Sequence, residues 1–215
     1  MESYGTDGVT PTIALARNLL NLALCESLYS PLQLCEVALR NQLHRYLSLL
    51  IGREDWFHAP GFRPTPGAEQ EIRKAIERIR RNDRPVTAGR VVAEQQFGFW
   101  TSLFEGHYEE HGRLWPAGIK IVFPHLVKSR HRRKEIKRVL EEIRYLRNRV
   151  FHHERIVHWS DLPEQHRSII EVIGWASPEA QEMARALDRF AETRSRGLAP
   201  WIAKLRHHWP ETVGK

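Results

Sequence analysis

A proline one or two residues after a helix-capping side chain recurs along the 215-residue chain, and this pairing constrains the fold more than any other feature. Ser30-Pro31, Thr65-Pro66, Asp161-Leu162-Pro163 and Ser177-Pro178 all carry it. Ser, Thr or Asp accepts an orphaned first-turn N–H, and proline suits the first helical position because its missing N–H has no partner there. Gln33 adds a capping box to the first of them, predicting a helix that runs to about Gly52. Its apolar residues Leu32, Cys35, Leu39, Leu43, Tyr46, Leu47 and Leu50 recur at helical spacing. Upstream, IALARNLLNLALCESL reads as a separate helix ending near Tyr29.

A third helix is expected from Pro66, with Ile72, Ile76 and Ile79 on one side and Asn82-Asp83-Arg84-Pro85 as its stop. Thr87 caps a helix over AGRVVAEQQFGFWTSLF, and EGHYEEHGRLWPAGIKIVFPH reads as a long irregular connection. A helix over about residues 130–151 follows. Two more open at Asp161 and Ser177, the second ending near Arg194, before a basic and aromatic tail over residues 197–215. With no internal repeat and no alternating run of strand length, the expected architecture is all-α, a single-domain bundle of about seven helices.

Hydrophobic residues make up 41% of the chain and charged residues 27%, which points away from disorder and from a membrane protein. No apolar run approaches the ~20 residues of a membrane span. The start, MESYGTDGVT, lacks the basic and apolar regions of a signal peptide, so a cytoplasmic location is expected. Cys25 and Cys35 match no metal-ligand spacing and read as small buried hydrophobes. Net charge is +7. Residues 128–138, KSRHRRKEIKR, hold seven Lys or Arg against one Glu, and a second cluster lies at 72–84. Such runs are either the wet faces of amphipathic helices or a surface for a polyanion.

The segment RYLRNRVFHHERI, residues 144–156, carries the chemistry. On a helical wheel Ile136, Val139, Leu140, Ile143, Leu146 and Val150 form the buried face, and Arg147 projects within that arc. An Arg removed from water needs a carboxylate. Asn148 and His152, four apart, share a wetter line with Arg144. A second polar line, Glu36, Arg40 and His44, with Asn41 and Arg45 beside it, lies on the helix opened by Ser30, and Glu36 is a candidate counter-charge for Arg147. Two plainer accounts compete: Arg147 as a salt bridge at the core edge, and His152 as a solvated histidine. His153-Glu154 followed by His158 falls one residue outside the zincin spacing H-E-x-x-H, so no metal site is expected. Phe97, Phe99, Trp100 and Phe104 recur at helical spacing and read as core.

R-N-x-x-x-H, filled by Arg147, Asn148 and His152, resembles the signature of the HEPN superfamily of metal-independent ribonucleases. More narrowly, CEVALRNQLHRYL with a following DWF, then GFWTSLF, LW, FP and LRNRVFHHERI is similar in order to the Abi-like (abortive infection) proteins of bacteria, over about residues 30–160. Phe151 departs from that pattern, which usually has a small residue before the paired histidines. The resemblance implies a HEPN-like bundle and an RNA endonuclease acting without cofactor in phage defence or growth arrest. It further implies a homodimer in which two motifs form one cleft; whether an inhibitory partner or small RNA regulates it is left open by the sequence.

RNA supplies its own nucleophile, the 2′-OH, so such a protein needs a proton carrier and a cation for the phosphorane charge. His152 is then the acid/base group, Arg147 the phosphate clamp, Asn148 an orienting residue and His153 a second proton carrier. Glu36, Arg40, Asn41, Arg144 and Arg155 are expected to support them, and Arg130, Arg132, Arg133, Lys134, Lys137 and Arg138 to gather RNA phosphates. The alternative is a non-catalytic RNA-binding or partner-binding helical module.

Overall fold

In a computed structural model that describes residues 10–111 and 114–208, the chain is all-helical, and no strand forms among the described residues. The spine is α1, Pro11–Ile51, a single helix of 41 residues. Thr10 caps it by accepting from the Ile13 N–H at 3.4 Å. It stops at Gly52, whose φ of 81° lies in the left-handed region that glycine enters without strain.

This spine corrects the expected boundary at Ser30. Pro31 lies inside α1 rather than opening a second helix. Proline in a helix interior costs ~3 kcal/mol through a lost hydrogen bond and a ring clash. Against that, Leu24, Leu28, Leu32, Cys35, Leu39 and Leu43 form one continuous seam, each at most 3% exposed. Each fully buried leucine contributes ~1.5–3 kcal/mol. Burial of a shared seam therefore outweighs the local stop signal. Both cysteines are free and buried, as expected.

The next segments follow their caps. After a single 3₁₀ turn at Trp56–His58, α2 spans Pro66–Arg81, and Thr65 accepts from Ala68 N–H at 3.2 Å. Thr87 caps α3, Ala88–Glu94, but the expected helix breaks at Gln95 and Gln96, which are extended, and resumes as α4, Phe97–Ser102. The break has a packing cause. Val91, Val92, Phe97, Phe99 and Trp100 are all buried, and one uninterrupted helix would spread them over about two-thirds of its circumference.

The connection read as irregular contains two single turns, α5 at His107–Glu110 and α6 at Ile119–Val122. Its aromatic residues Tyr108, Trp115 and Phe123 enter the core with Phe104. A 3₁₀ turn at Lys128–Arg130 then leads into α7, Arg133–Phe151, whose buried residues include the six expected from the wheel.

The C-terminal third covers α1. Helix α8 spans Leu162–Ala176, and Ser177 caps α9, Pro178–Leu187. The helix expected to continue to Arg194 breaks at Asp188, whose Oδ1 accepts from Phe190 N–H at 2.9 Å and starts α10, Phe190–Arg196. Part of the expected tail is helix α11, Ala199–His208, which buries Leu205 and packs Trp201 against the core. Residues 209–215 of that tail lie outside the described residues. With two expected helices merged, two broken and extra turns present, the bundle is more segmented than the seven helices expected. No helix among the described residues is long and apolar enough to cross a membrane.

Candidate active site

The C-terminal end of α7 lies beside the middle of α1, because the apolar seams of both helices enter the same core. That packing brings Arg147 to Glu36, with Nη2 3.6 Å from Oε2 and both side chains 21% exposed. The guanidinium carbon also sits 4.4 Å from the centre of the Phe151 ring, one turn further on. Phe151 in turn meets Tyr29 of α1 edge to face at 4.9 Å. Arg147 is thus held by a carboxylate and a ring, yet its Nε is buried without a hydrogen-bond acceptor. Burial raises the Glu36 pKa, and the charges of Arg147 and Arg40 and the Phe97 N–H partly oppose the rise.

Beside this pair lies a shallow cleft of about 330 Å³, lined by Tyr29, Gln33, Glu36, Arg40 and Phe151. Arg40 is half-buried in its wall, so the cleft pairs an apolar aromatic side with a cationic one. Asn41 is exposed on the next turn position of α1. His44 serves the fold instead of extending this polar line: its Nδ1 accepts from the Trp56 indole N–H at 3.0 Å, and burial lowers its pKa.

His152 occupies the C-cap of α7, with its N–H on Asn148 O at 2.9 Å. Its side chain is exposed, and no hydrogen bond or ion pair holds it among the described residues. Asn148 is exposed one turn earlier. His153 has φ 58°, a left-handed conformation uncommon for a residue with a Cβ. It ends the helix sharply and turns the chain back, so the motif closes with a helix stop. Arg147 faces inward and His152 faces water, as their spacing of about 140° around a helix requires.

The turn is fastened from a distance. Asn21 of α1, 2% exposed, accepts from Ile156 N–H at 2.8 Å and Val157 N–H at 3.1 Å, and donates to Glu154 O at 3.3 Å. The Glu154 carboxylate also pairs with Arg149, whose Nη2 donates to Tyr145 OH at 2.7 Å. Tyr145 stacks on Trp159 with rings 5.6 Å apart and nearly parallel. Arg155 is exposed on the same turn. Neither Asn21 nor the Tyr145–Trp159 stack was among the expected site residues. The available clue was a lone Asn in the apolar run LLNLAL, because a buried amide must find partners.

The remaining expected residues separate by environment. Arg144 is half-buried and bonded to Glu141 at 2.5 Å. Arg133 turns inward, with its side chain 7% exposed, donating to Glu109 Oε2 at 2.8 Å and Phe104 O at 2.7 Å. It anchors the start of α7 and is not presented to a phosphate, unlike its neighbours. Arg132, Lys134 and Arg138 are exposed and Lys137 is half-exposed. Arg132 and Arg138 pair with Glu135 and Glu142 on the helix surface, and Arg130 lies over the Trp175 ring near Glu171. Among the described residues no three His, Cys, Asp or Glu side chains gather as metal ligands. No family model, curated protein or solved structure matches the chain.

Proposed function

We propose that the chain is a metal-independent RNA endonuclease of the HEPN type, cleaving by 2′-OH attack to leave 2′,3′-cyclic phosphate and 5′-OH ends. The observation that carries this reading is the end of α7: an incompletely satisfied arginine beside an open cleft, five residues before an exposed histidine that nothing else engages. Arg147 sets a guanidinium charge behind the cleft, and Arg40 adds a second in its wall, so the site is cationic where a phosphate would sit. His152 is exposed and unbonded, free to take the 2′-OH proton or to protonate the leaving 5′-oxygen. Asn148 and His153 flank that proton carrier. The resemblance to Abi-like proteins extends the reading to bacterial phage defence or growth arrest.

Arg147 and His152 diverge around one helix, so the reading includes a homodimer in which a second copy supplies the complementary group. Mapping RNA ends after incubation with wild type and His152→Ala is the direct test: cyclic-phosphate ends with the first only are expected. Unchanged cutting by the purified variant defeats the assignment. Mixing Arg147→Ala with His152→Ala recovers activity only if two chains share a cleft. One observation favours the second reading, a non-catalytic RNA-binding module: the commitment of Arg147 to Glu36 and Phe151 is what a structural brace needs. Under that reading both variants bind RNA and neither they nor the wild type cuts it.

A further inference from the structure

Away from α7, the α8 face and the α9–α10 break enclose an open pocket of about 700 Å³, within the ~300–1,000 Å³ typical of small-molecule sites. Its apolar wall is Ile170 and Phe190. Three arginines line it: Arg167, Arg185 and Arg194. The charge is only partly compensated. Arg185 pairs with Glu182 at 2.6 Å, Arg167 reaches Glu164 only at 3.8 Å, and Arg194 has no carboxylate partner among the described residues.

The one carboxylate in the lining, Asp188, is engaged by the backbone of Phe190 and lies beside His166. Its Oδ1 accepts from the Phe190 N–H at 2.9 Å, and its Oδ2 lies 3.1 Å from His166 Nε2. His166 is also stacked on Phe190 at 4.4 Å, so its ring is fixed on two sides. Nε2 is buried and makes no well-formed hydrogen bond despite its closeness to Asp188; in the tautomer that carries the proton there, Nδ1 is a neutral acceptor for a hydroxyl. Burial lowers the His166 pKa, which favours that neutral form.

We propose that this pocket binds a small organic phosphate of the size and chemistry of a nucleoside monophosphate. The arginines hold the phosphate, as planar guanidinium groups do, and His166 accepts from a sugar hydroxyl. The apolar wall takes the uncharged body. No residue of the α7 motif contributes, so the site is independent of the proposed RNA chemistry.

The test is isothermal titration of the full chain at low salt with uridine 5′-monophosphate, adenosine 5′-monophosphate, uridine and inorganic phosphate. The monophosphates are expected to bind, inorganic phosphate more weakly and uridine not at all. Arg194→Gln and Arg167→Gln, both changes of exposed residues, are each expected to weaken monophosphate binding at least ~10-fold, a loss typical of charged hydrogen bonds. Neither change should alter RNA cleavage or binding through Arg147 and His152. Absence of binding at millimolar monophosphate overturns the proposal, as does equal affinity in Arg194→Gln. Binding that survives Arg194→Gln but is lost in Arg147→Ala puts the nucleotide at α7 and also overturns it. So does displacement by a 5′-hydroxyl RNA hexamer at equal nucleotide concentration, since the pocket would then belong to an RNA path.

Discussion

Arg147 and Glu36 join the two longest helices of the chain across a 3.6 Å ion pair, both side chains about one-fifth exposed. This position lies between two energetic regimes. Exposed pairs contribute ~0–1 kcal/mol, whereas removing one member of a fully buried pair costs ~3–5 kcal/mol. Arg147→Ala should therefore destabilise by about 1–3 kcal/mol, as it strands a carboxylate that burial already disfavours. Adding Glu36→Gln should recover part of that loss. A double-mutant cycle by urea unfolding measures it, and a coupling of zero would make the pair incidental.

His152→Ala should behave differently. The side chain is exposed and unbonded, so the midpoint of thermal unfolding should stay within ~2 °C of wild type. Loss of RNA cleavage alongside an unchanged melt is the expected pairing. A large drop in melting temperature would show that His152 serves the fold.

Asn21 should matter more than its distance from the motif suggests. Asn21→Leu removes the acceptor of the Ile156 and Val157 N–H groups, each buried donor costing ~1–3 kcal/mol when unsatisfied. Asn21→Asp keeps the acceptor but loses the donor to Glu154 O and buries a carboxylate, so it should also be destabilised while still protecting the Ile156 and Val157 N–H groups. Hydrogen exchange at Ile156 and Val157 reports the clamp directly, and unchanged protection in Asn21→Leu would disprove it.

The basic helix should divide into two groups. Replacing Arg132, Lys134 and Arg138 with Gln should flatten the salt dependence of RNA binding by about 0.7 per lost phosphate contact on a log-log plot. Arg133→Gln should lower stability through its bonds to Glu109 and Phe104 and leave that slope unchanged. Salt-independent RNA binding by wild type would return the whole surface to simple solvation.

His44 and His166 predict an acid weakness. Burial lowers both pKa values below the usual 6.5 of the unfolded chain, so below pH 6.5 the unfolded state binds more protons than the folded one. The stability they contribute is full above that pH and is lost as pH falls through the lower folded values. Glu36 acts with the opposite sign: its raised pKa favours the folded state below the usual 4.5, a contribution lost as pH rises through the folded value. Urea unfolding between pH 8 and 5 should show declining stability, with a shallower slope in His44→Gln/His166→Gln. An unchanged slope would refute the assignment.

What the sequence determined by itself was local. Caps at Thr65, Thr87 and Ser177, and the 3.6-residue recurrence of Ile136, Val139, Leu140, Ile143, Leu146 and Val150, act within a few residues of chain, so the all-helical class and the buried face of α7 were legible in the sequence. Glu36 could be named as a candidate partner for Arg147 because a charge projecting into an apolar arc demands one, but only the packing of α1 on α7 brought the two together. Tertiary structure alone decided where local and global preferences conflict. Pro31 carries a helix-start signal and is overruled by a shared leucine seam; Gln95 and Gln96 carry no stop signal, yet the helix breaks there to bury both flanking apolar sets. Arg133 and Arg132 are adjacent and chemically identical, and only the nearby Glu109 and Phe104 carbonyl draw one inward and leave the other in water. Asn21 and Ile156 are 135 residues apart. A hydrogen bond acts over ~3 Å, so its sequence pattern exists only after the chain has folded.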